Sequence, residues 1–567
     1  MKKFYSIVYL VLFFCLNSFS QKPSIQLNWL NTAASYLNGG EFSAQGVTNL
    51  SDGSIVVVGY FQHTVDFDPS PDTFNLTTTA YFGIFIAKYT NQGKLAFAYG
   101  FSESNKSNFF DANYESANAV TADADDNIYV AGTFRGDVDF DPDSGKTVLS
   151  AGYSVQNNFV ACYTKNGKFK FAKDITKGNG QYENVASIIS DKNKNIYVTG
   201  SFEGSDVDFD PGPNSTHSFA DETDIFFSKY DSLGNFKFVK ILSGKKNDYA
   251  NKLVLDKNNN ILICGDFYSA YLDVSADTIK HFLQRKGDGD LFFAKYDTSG
   301  KLIFAENIGN YKSSDASSVA VGTDNNIVLT GKFYGTSVDF GPLNPGKHLL
   351  TSQNSYDAFI AKYDANGNCV FAFSIGNGSP NDNGVDIGLD SNNNIFCTGE
   401  FGGNNVDFDP GTGIYRIPAS KDGDNYLAKY TYNGNFVSAV ATGGQTSGAF
   451  YTDFKINCLH VTSTGKTLTA GYFSGKVDLD AGTDSNIVNE PATTMFVCKY
   501  DNANNFLAEI NGNNYFNYAY SSSIVTSSAI DKNGNSYVCG NFVGQFDFDH
   551  GPNKYILNSS VNVYGSD

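Results

Sequence analysis

A Gly-x-Phe step recurs eight times in this chain, at Gly59-Phe61, Gly132-Phe134, Gly200-Phe202, Gly265-Phe267, Gly331-Phe333, Gly399-Phe401, Gly471-Phe473 and Gly540-Phe542. Successive spacings are 73, 68, 65, 66, 68, 72 and 69 residues. A period this regular constrains the fold before any local motif does. Each copy is one supersecondary unit that must bury its faces against the next. A few residues after each step comes a short acidic segment, which in the third copy reads Val207-Asp208-Phe209-Asp210-Pro211-Gly212.

Each unit contains four strand-like runs. The first is small and mildly apolar (Ala117 to Ala122, Ala250 to Leu255) and ends in a polar turn such as Asp191-Lys192-Asn193-Lys194-Asn195. The second is rich in β-branched and aromatic residues, as in Ile196-Tyr197-Val198-Thr199 and Ile261-Leu262-Ile263-Cys264. After the acidic segment and a variable loop comes the third, Ile225 to Tyr230 in the third unit, and a glycine turn leads to the fourth, Phe236 to Val239. Runs of this length, bounded by turn residues, are strands and hairpins. Four antiparallel strands repeated at about 69 residues predict an all-β chain, a β-propeller of about eight four-stranded blades (seven or eight), since radially packed sheets cover faces that one sheet leaves bare.

The ends carry separate signals. Lys2 and Lys3 precede an apolar run from Phe4 to Leu16, and Ser18-Phe19-Ser20 supplies small residues before Gln21. Residues 1–20 therefore read as a secretory signal peptide, with 21–567 as the repeat domain. Ser24 to Trp29 resembles a fourth strand without its first three and is expected to close the ring. The last unit stops early, with Tyr564-Gly565-Ser566-Asp567 where other units begin their third strand. Either Tyr555 to Val563 replaces that strand or the last blade is incomplete and the chain continues. The formal charge of −19 becomes −21 once Lys2 and Lys3 are removed. That acidity argues against nucleic acid, whose binding rests on Lys and Arg neutralising phosphate, and against an anionic membrane surface. No later segment has the length of a membrane-spanning helix.

The stretch NIYVTGSFEGSDVDFDPGPN, continued by DIFFSKYDSLGNFKFVKIL, resembles the SBBP-type β-propeller repeat of secreted bacterial proteins. It shares that repeat's G-N-x-Y-V-T-G step, its D-x-F-V-A-K-x-D step and its glycine-led last strand. The resemblance covers residues 24–567 and implies an exported bacterial propeller at the cell surface. It implies no particular activity.

Candidate chemistry begins with the acidic segments. Six units carry two aspartates, at Asp66/Asp68, Asp139/Asp141, Asp208/Asp210, Asp407/Asp409, Asp478/Asp480 and Asp547/Asp549. Asp273 and Asp339 are followed instead by Ser275 and Gly341. In an extended segment, side chains at i and i+2 share a face, so each pair offers oxygen ligands for Ca²⁺. The competing reading makes the first Asp a turn cap that accepts backbone N–H groups, and the dispensable second Asp favours it. The third-strand lysines (Lys88, Lys229, Lys295, Lys362, Lys429, Lys499) are expected to pair with the leading Asp of the acidic segment. Seven cysteines remain after residue 20 (Cys162, Cys264, Cys369, Cys397, Cys458, Cys498, Cys539), an odd number placed inside apolar strands, which predicts buried core thiols. The histidines share no register, and neither G-x-S-x-G nor HExxH occurs.

These readings define an exported, monomeric, non-catalytic binding, adhesion or scaffold module for an extracellular protein or glycan. Specificity is expected in the variable segments Ser70 to Tyr81, Asn214 to Thr223 and Asn344 to Tyr356. The rival is a glycan-degrading enzyme, a hydrolase or lyase, with its site at the mouth of the channel. Unit four, with Leu272-Asp273-Val274-Ser275 and Lys280-His281, departs furthest from the pattern.

Overall fold

The structure is a computed structural model. It describes residues 34–35 and 42–558, less 104–114, 153–154, 276–278, 353–354, 377–380, 404–405, 420–422, 445–453, 481–485, 515–521, 549–555 and positions 79, 181, 311, 344, 418 and 532. Residues 1–20, read above as a signal peptide, the Ser24 to Trp29 run, Asp549 and most of the Tyr555 to Val563 segment lie outside the described residues.

Every described element is a strand, and the architecture is a series of four-stranded antiparallel sheets with propeller-like periodicity. Unit three shows the plan: Asn184–Ser190, Ile196–Asp208, His217–Tyr230 and Phe236–Leu242 pair in that order. Units one to five are separate four-stranded sheets. Units six and seven and the two strands of unit eight, Ser522–Ile530 and Ser536–Val543, are joined by short edge pairings into one ten-stranded sheet. The first strand of each unit contacts the first strand of the next, and that of unit eight returns to that of unit one. At this return Thr526 donates to the carbonyl of Ala44 at 2.7 Å, Asn541 donates to the Ser43 hydroxyl at 2.9 Å, and Tyr537 and Cys539 share a core with Phe42 and Val57.

The repeated residues build these sheets. The Phe of every Gly-x-Phe step is buried, as are the apolar members of the acidic segments, such as Val207 and Phe209. In unit three Phe202 meets Phe209 edge to face at 4.9 Å, a favoured aromatic geometry. Alternation puts the apolar residues inward and leaves the carboxylates on the other face. The tyrosine ending the third strand then reaches the same segment: Tyr89, Tyr163, Tyr296, Tyr363 and Tyr430 donate to the carbonyls of Phe67, Phe140, Val274, Phe340 and Phe408 at 2.9–3.0 Å. Burial raises the phenols of Tyr89, Tyr163, Tyr363 and Tyr430 and keeps them neutral. Removing one donor strands a buried carbonyl, so Tyr296→Phe should lower stability by about 1–2 kcal/mol. The check is a shift of the urea midpoint at unchanged slope.

The lysine preceding that tyrosine does not behave as expected. It points to the opposite face, away from the acidic segment, and crosses to the neighbouring unit. Lys88, Lys229, Lys295 and Lys362 donate to the carbonyls of Lys165, Thr298, Ala365 and Tyr432 at 2.8–3.0 Å, and Lys429 reaches that of Asn502. Each acceptor lies in the next unit's turn between third and fourth strands. Lys295 also forms a buried ion pair, 3.0 Å long, with Asp256 of its own unit's first turn. Strand alternation gives Lys and Tyr opposite faces, so only one of them can reach the acidic segment, and the tyrosine does. The seven cysteines among the described residues are free thiols; six are buried and Cys458 is half-buried.

Candidate functional site

The acidic segments act on their own backbone. In five units Oδ1 of the leading aspartate accepts two N–H groups, from residues i+2 and i+8. The bonds are 3.0 and 2.7 Å at Asp66, 3.2 and 2.9 Å at Asp139, 3.1 and 2.7 Å at Asp208, 3.1 and 2.8 Å at Asp407, and 3.1 and 2.8 Å at Asp478. Asp547, like Asp66, is buried. The second aspartate caps the bend that follows: Asp68, Asp141, Asp210 and Asp409 accept from Ser70, Asp143, Gly212 and Gly411. Asp480 donates its own N–H to Asp478. Among the described residues no group of three or more His, Cys, Asp or Glu side chains is placed to hold a metal ion.

The variable segment of unit three does form a site. In most units the acidic segment opens a small separate hairpin, such as Thr64–Asp66 with Asn75–Thr77. In unit three the second and third strands run on without interruption as Ile196–Asp208 and His217–Tyr230. The hand-over occurs at Gly204, whose φ of 124° an L side chain rarely adopts and where the register shifts twice. This raised hairpin forms one wall of a cleft of about 880 Å³, and the small hairpin of unit four, Tyr271–Asp273 with Phe282–Gln284, forms the other. Val239 and Ile241 lie between them. Phe219, Tyr271 and Phe282 line the cleft with more than half of their surface exposed, at 63%, 55% and 57%. Tyr271 and Phe282 meet edge to face at 6.3 Å.

The polar lining is largely paired. Lys280 bonds Asp273 at 2.6 Å, and His217 bonds Asp206 at 2.7 Å. Burial alone would raise Asp273, but hydrogen bonds from Lys280 and Ser275 outweigh it and hold the carboxyl below its usual range. Asp224, at the back of the cleft, accepts from the Gly244 N–H at 3.0 Å; burial, with Asp248 nearby, pushes it well up. Of the three variable segments proposed from sequence, 214–223 is the one that lines this cleft. The departure of unit four is its other wall.

A second concentration of chemistry went unread in the sequence. It lies where the Gly-x-Phe step pairs with the first strand. The cross-strand pairs there are Ser43–Tyr60, Ser116–Thr133 and Asn184–Ser201 in units one to three, but Tyr249–Asp266, Asp315–Lys332 and Asn383–Glu400 in units four to six. Lys332 bonds Asp315 at 2.8 Å and sits 5.3 Å from the centre of the Tyr356 ring, and Tyr356 packs on Tyr334. Asp266 is held by Asn251 at 3.0 Å and the Ala316 N–H at 2.9 Å, and burial together with Asp315 pushes it up to about 7. Asp315 and Asp266 also raise the Tyr268 hydroxyl, after burial. The signal was present in the middle residue of the step: Asp266, Lys332 and Glu400 are three consecutive charged residues where other units carry Tyr, Thr, Ser or Asn. Further along the first strands, Lys252 bonds Ser318 at 2.8 Å and Asp386 at 3.1 Å, and Asp386 accepts the Leu459 N–H at 3.1 Å. This chain of contacts ties units four to seven together.

Fold and site together define a repeating, all-β protein with propeller-like periodicity. No family model matches the chain, so the SBBP-type resemblance rests on the repeat residues themselves. A curated relative, an uncharacterised WD repeat-containing protein of Acanthamoeba polyphaga mimivirus, is 26% identical over 468 residues, covering 68% of this chain and 32% of that protein. The match thus spans about a third of the relative's length. Among solved structures, the polysaccharide lyase Uly1 is 11% identical with a TM-score of 0.37, covering 86% of this chain and 100% of its own. A eukaryotic initiation factor is 8% identical with a TM-score of 0.34, covering 89% and 96%. No helix among the described residues is long and apolar enough to cross a membrane.

Proposed function

We propose that this protein is an exported, closed eight-bladed β-propeller that works as a non-catalytic binding module, taking an extracellular protein or glycan in the cleft between units three and four. The observation that carries this reading is the set of three exposed aromatic side chains around one cavity. Large contiguous apolar exposure on a soluble protein marks an interaction surface, and a concave site with a few interleaved polar groups is the usual form of a ligand pocket. Nothing in the repeat requires Phe219, Tyr271 or Phe282 to face solvent. The double change Phe219→Ala/Tyr271→Ala should therefore leave the melting temperature unchanged and lower ligand affinity at least tenfold, about 1.4 kcal/mol. Titration of the immobilised protein against panels of extracellular glycans and peptides is the test. Binding that survives the double change refutes the reading.

The pairs at the first strands of units four to six favour a second reading, a glycan-degrading enzyme. A carboxyl that titrates near neutrality beside a tyrosine hydroxyl suits proton transfer. Polysaccharide turnover that disappears in Asp266→Asn would support it. In either reading the acidic segments are structural, because their first carboxylates are already engaged by backbone N–H groups. Chelation with EGTA is therefore expected to leave the melting temperature where it was, and a fall of several degrees would restore calcium to the six Asp pairs.

A further inference from the structure

We infer that the ligand of the cleft is an uncharged oligosaccharide, laid across the faces of Phe219, Tyr271 and Phe282. The inference rests on the binding reading above and narrows it to one chemical class. A pyranose ring presents C–H bonds on its faces and hydroxyls around its rim. A site for it therefore needs flat apolar platforms alternating with small hydrogen-bonding groups. The cleft supplies both: three aromatic rings exposed by more than half, and the hydroxyls of Thr216, Ser218 and Ser243 between them. Its volume of about 880 Å³ suits a short segment of chain, within the range of ordinary ligand pockets.

Charge decides against an acidic glycan. The Lys280 ammonium is taken up by Asp273, and Lys246, just beyond the lining, by Glu222 at 2.7 Å. Among the described lining residues this leaves Lys245 as the remaining lysine, set against Asp221, while burial draws Asp224 towards its neutral form, in a chain whose formal charge is −19. A uronate or sulfate ester would meet the repulsive field of an acidic chain and find no surplus of positive charge in the cleft to offset it.

The backbone restricts where an extended peptide can add. Strand addition needs an unpaired sheet edge. Just past the end of the fourth strand of unit three, Ser243 and Asp273 exchange both backbone hydrogen bonds, at 3.2 and 2.9 Å, which confines strand addition in the cleft to the outer side of Phe236–Leu242. Nor does the cleft offer the deep, desolvated apolar pocket that anchors a peptide side chain. Its apolar surface consists chiefly of outward-facing rings.

The test is calorimetric titration of the full chain with uncharged gluco-, manno- and xylo-oligosaccharides, in parallel with oligouronates and with a library of short peptides. The proteins compared are the wild type and the single variants F219A, Y271A and F282A. The expected result is binding of at least one uncharged oligosaccharide, weakened tenfold or more by each variant at unchanged melting temperature. Peptide or uronate binding lost in the same variants overturns the glycan assignment and leaves the cleft as the binding site. Oligosaccharide binding that all three variants retain overturns both. Replacing Tyr271 with Phe should preserve binding, because the aromatic platform survives.

Discussion

Gly331→Ala should lower stability by more than 4 kcal/mol or prevent folding altogether, although it adds one methyl group to a strand interior. A Cβ built on Gly331 would lie 2.0 Å from the carbonyl oxygen of Asp315 and 3.0 Å from its carbon. Both are backbone atoms and cannot rotate away. The cause is a bulge in the first strand between Ala316 and Ser318, which drives the Asp315 carbonyl across the second strand. Bulges and close backbone approach are what place glycine inside strands. The same contact occurs in all eight units: each glycine of the Gly-x-Phe step has a first-strand carbonyl 1.9–2.0 Å from its missing Cβ. An effect above 4 kcal/mol is exceptional and requires a named mechanism; here it is a backbone clash that only opening the sheet can relieve. Gly212→Ala is the control. Its nearest neighbour is the Asp210 carboxylate at 2.8 Å, a half-buried side chain whose single bond to the Gly212 N–H can lengthen as the carboxylate turns, so the cost should stay within about 0.5 kcal/mol. Thermal melts and limited proteolysis of the two variants decide the matter. A Gly331→Ala protein that melts with the wild type would show that the bulge yields.

This glycine also explains why so much of the fold could be read from the sequence. A residue that must be Gly for a backbone reason recurs at the true period, so spacing alone located the units. The phenylalanine two places on is fixed by the core, and the alternation in Val207-Asp208-Phe209-Asp210 states which face is buried. The partner of each third-strand lysine was less legible. Alternation says that Lys229 and Tyr230 face opposite ways, but not which face meets the acidic segment, and the carbonyl that Lys229 reaches is 69 residues on in the next unit. The cleft was legible only in outline. Variable segments mark where units differ, yet nothing local reveals that Gly204 lets unit three carry its strands through while unit four folds a short hairpin. The pairs at Asp266, Lys332 and Glu400 were hidden by the motif itself. The middle residue of Gly-x-Phe varies without pattern in the repeat, yet it is the position that the repeat leaves open to chemistry.

The protein should be more stable at pH 5 than at pH 8, the reverse of the usual effect of carboxylates in ion pairs. Burial is the first cause in each case. It pushes Asp174, Asp266 and Glu306 up to about 7, and raises Glu115, Glu183, Asp224 and Asp248 as well. In the unfolded chain these groups titrate near 4. Between pH 4 and 7 the folded state therefore binds more protons than the unfolded state, and stability falls as pH rises through that window. Each group contributes in the same direction, on the order of 1 kcal/mol or more. The repulsion within a chain of formal charge −19 also eases on acidification. A counter-current sets the lower limit. Asp231, at about 2, is held down mainly by Lys237 and Asn235 against its burial, and Lys252 holds Asp386 down in the same way. Such groups stabilise above pH 4 and lose that contribution as pH falls through their folded values. The melting temperature should accordingly rise by several degrees from pH 8 to about 5 and decline below 4. Asp266→Asn separates this cause from the general charge effect: an amide cannot ionise, so the variant's melting temperature should fall less steeply between pH 6 and 8 than that of the wild type. Equal slopes would mean that Asp266 is already ionised at pH 6 in the folded protein, and would remove the proton-transfer reading of its site as well.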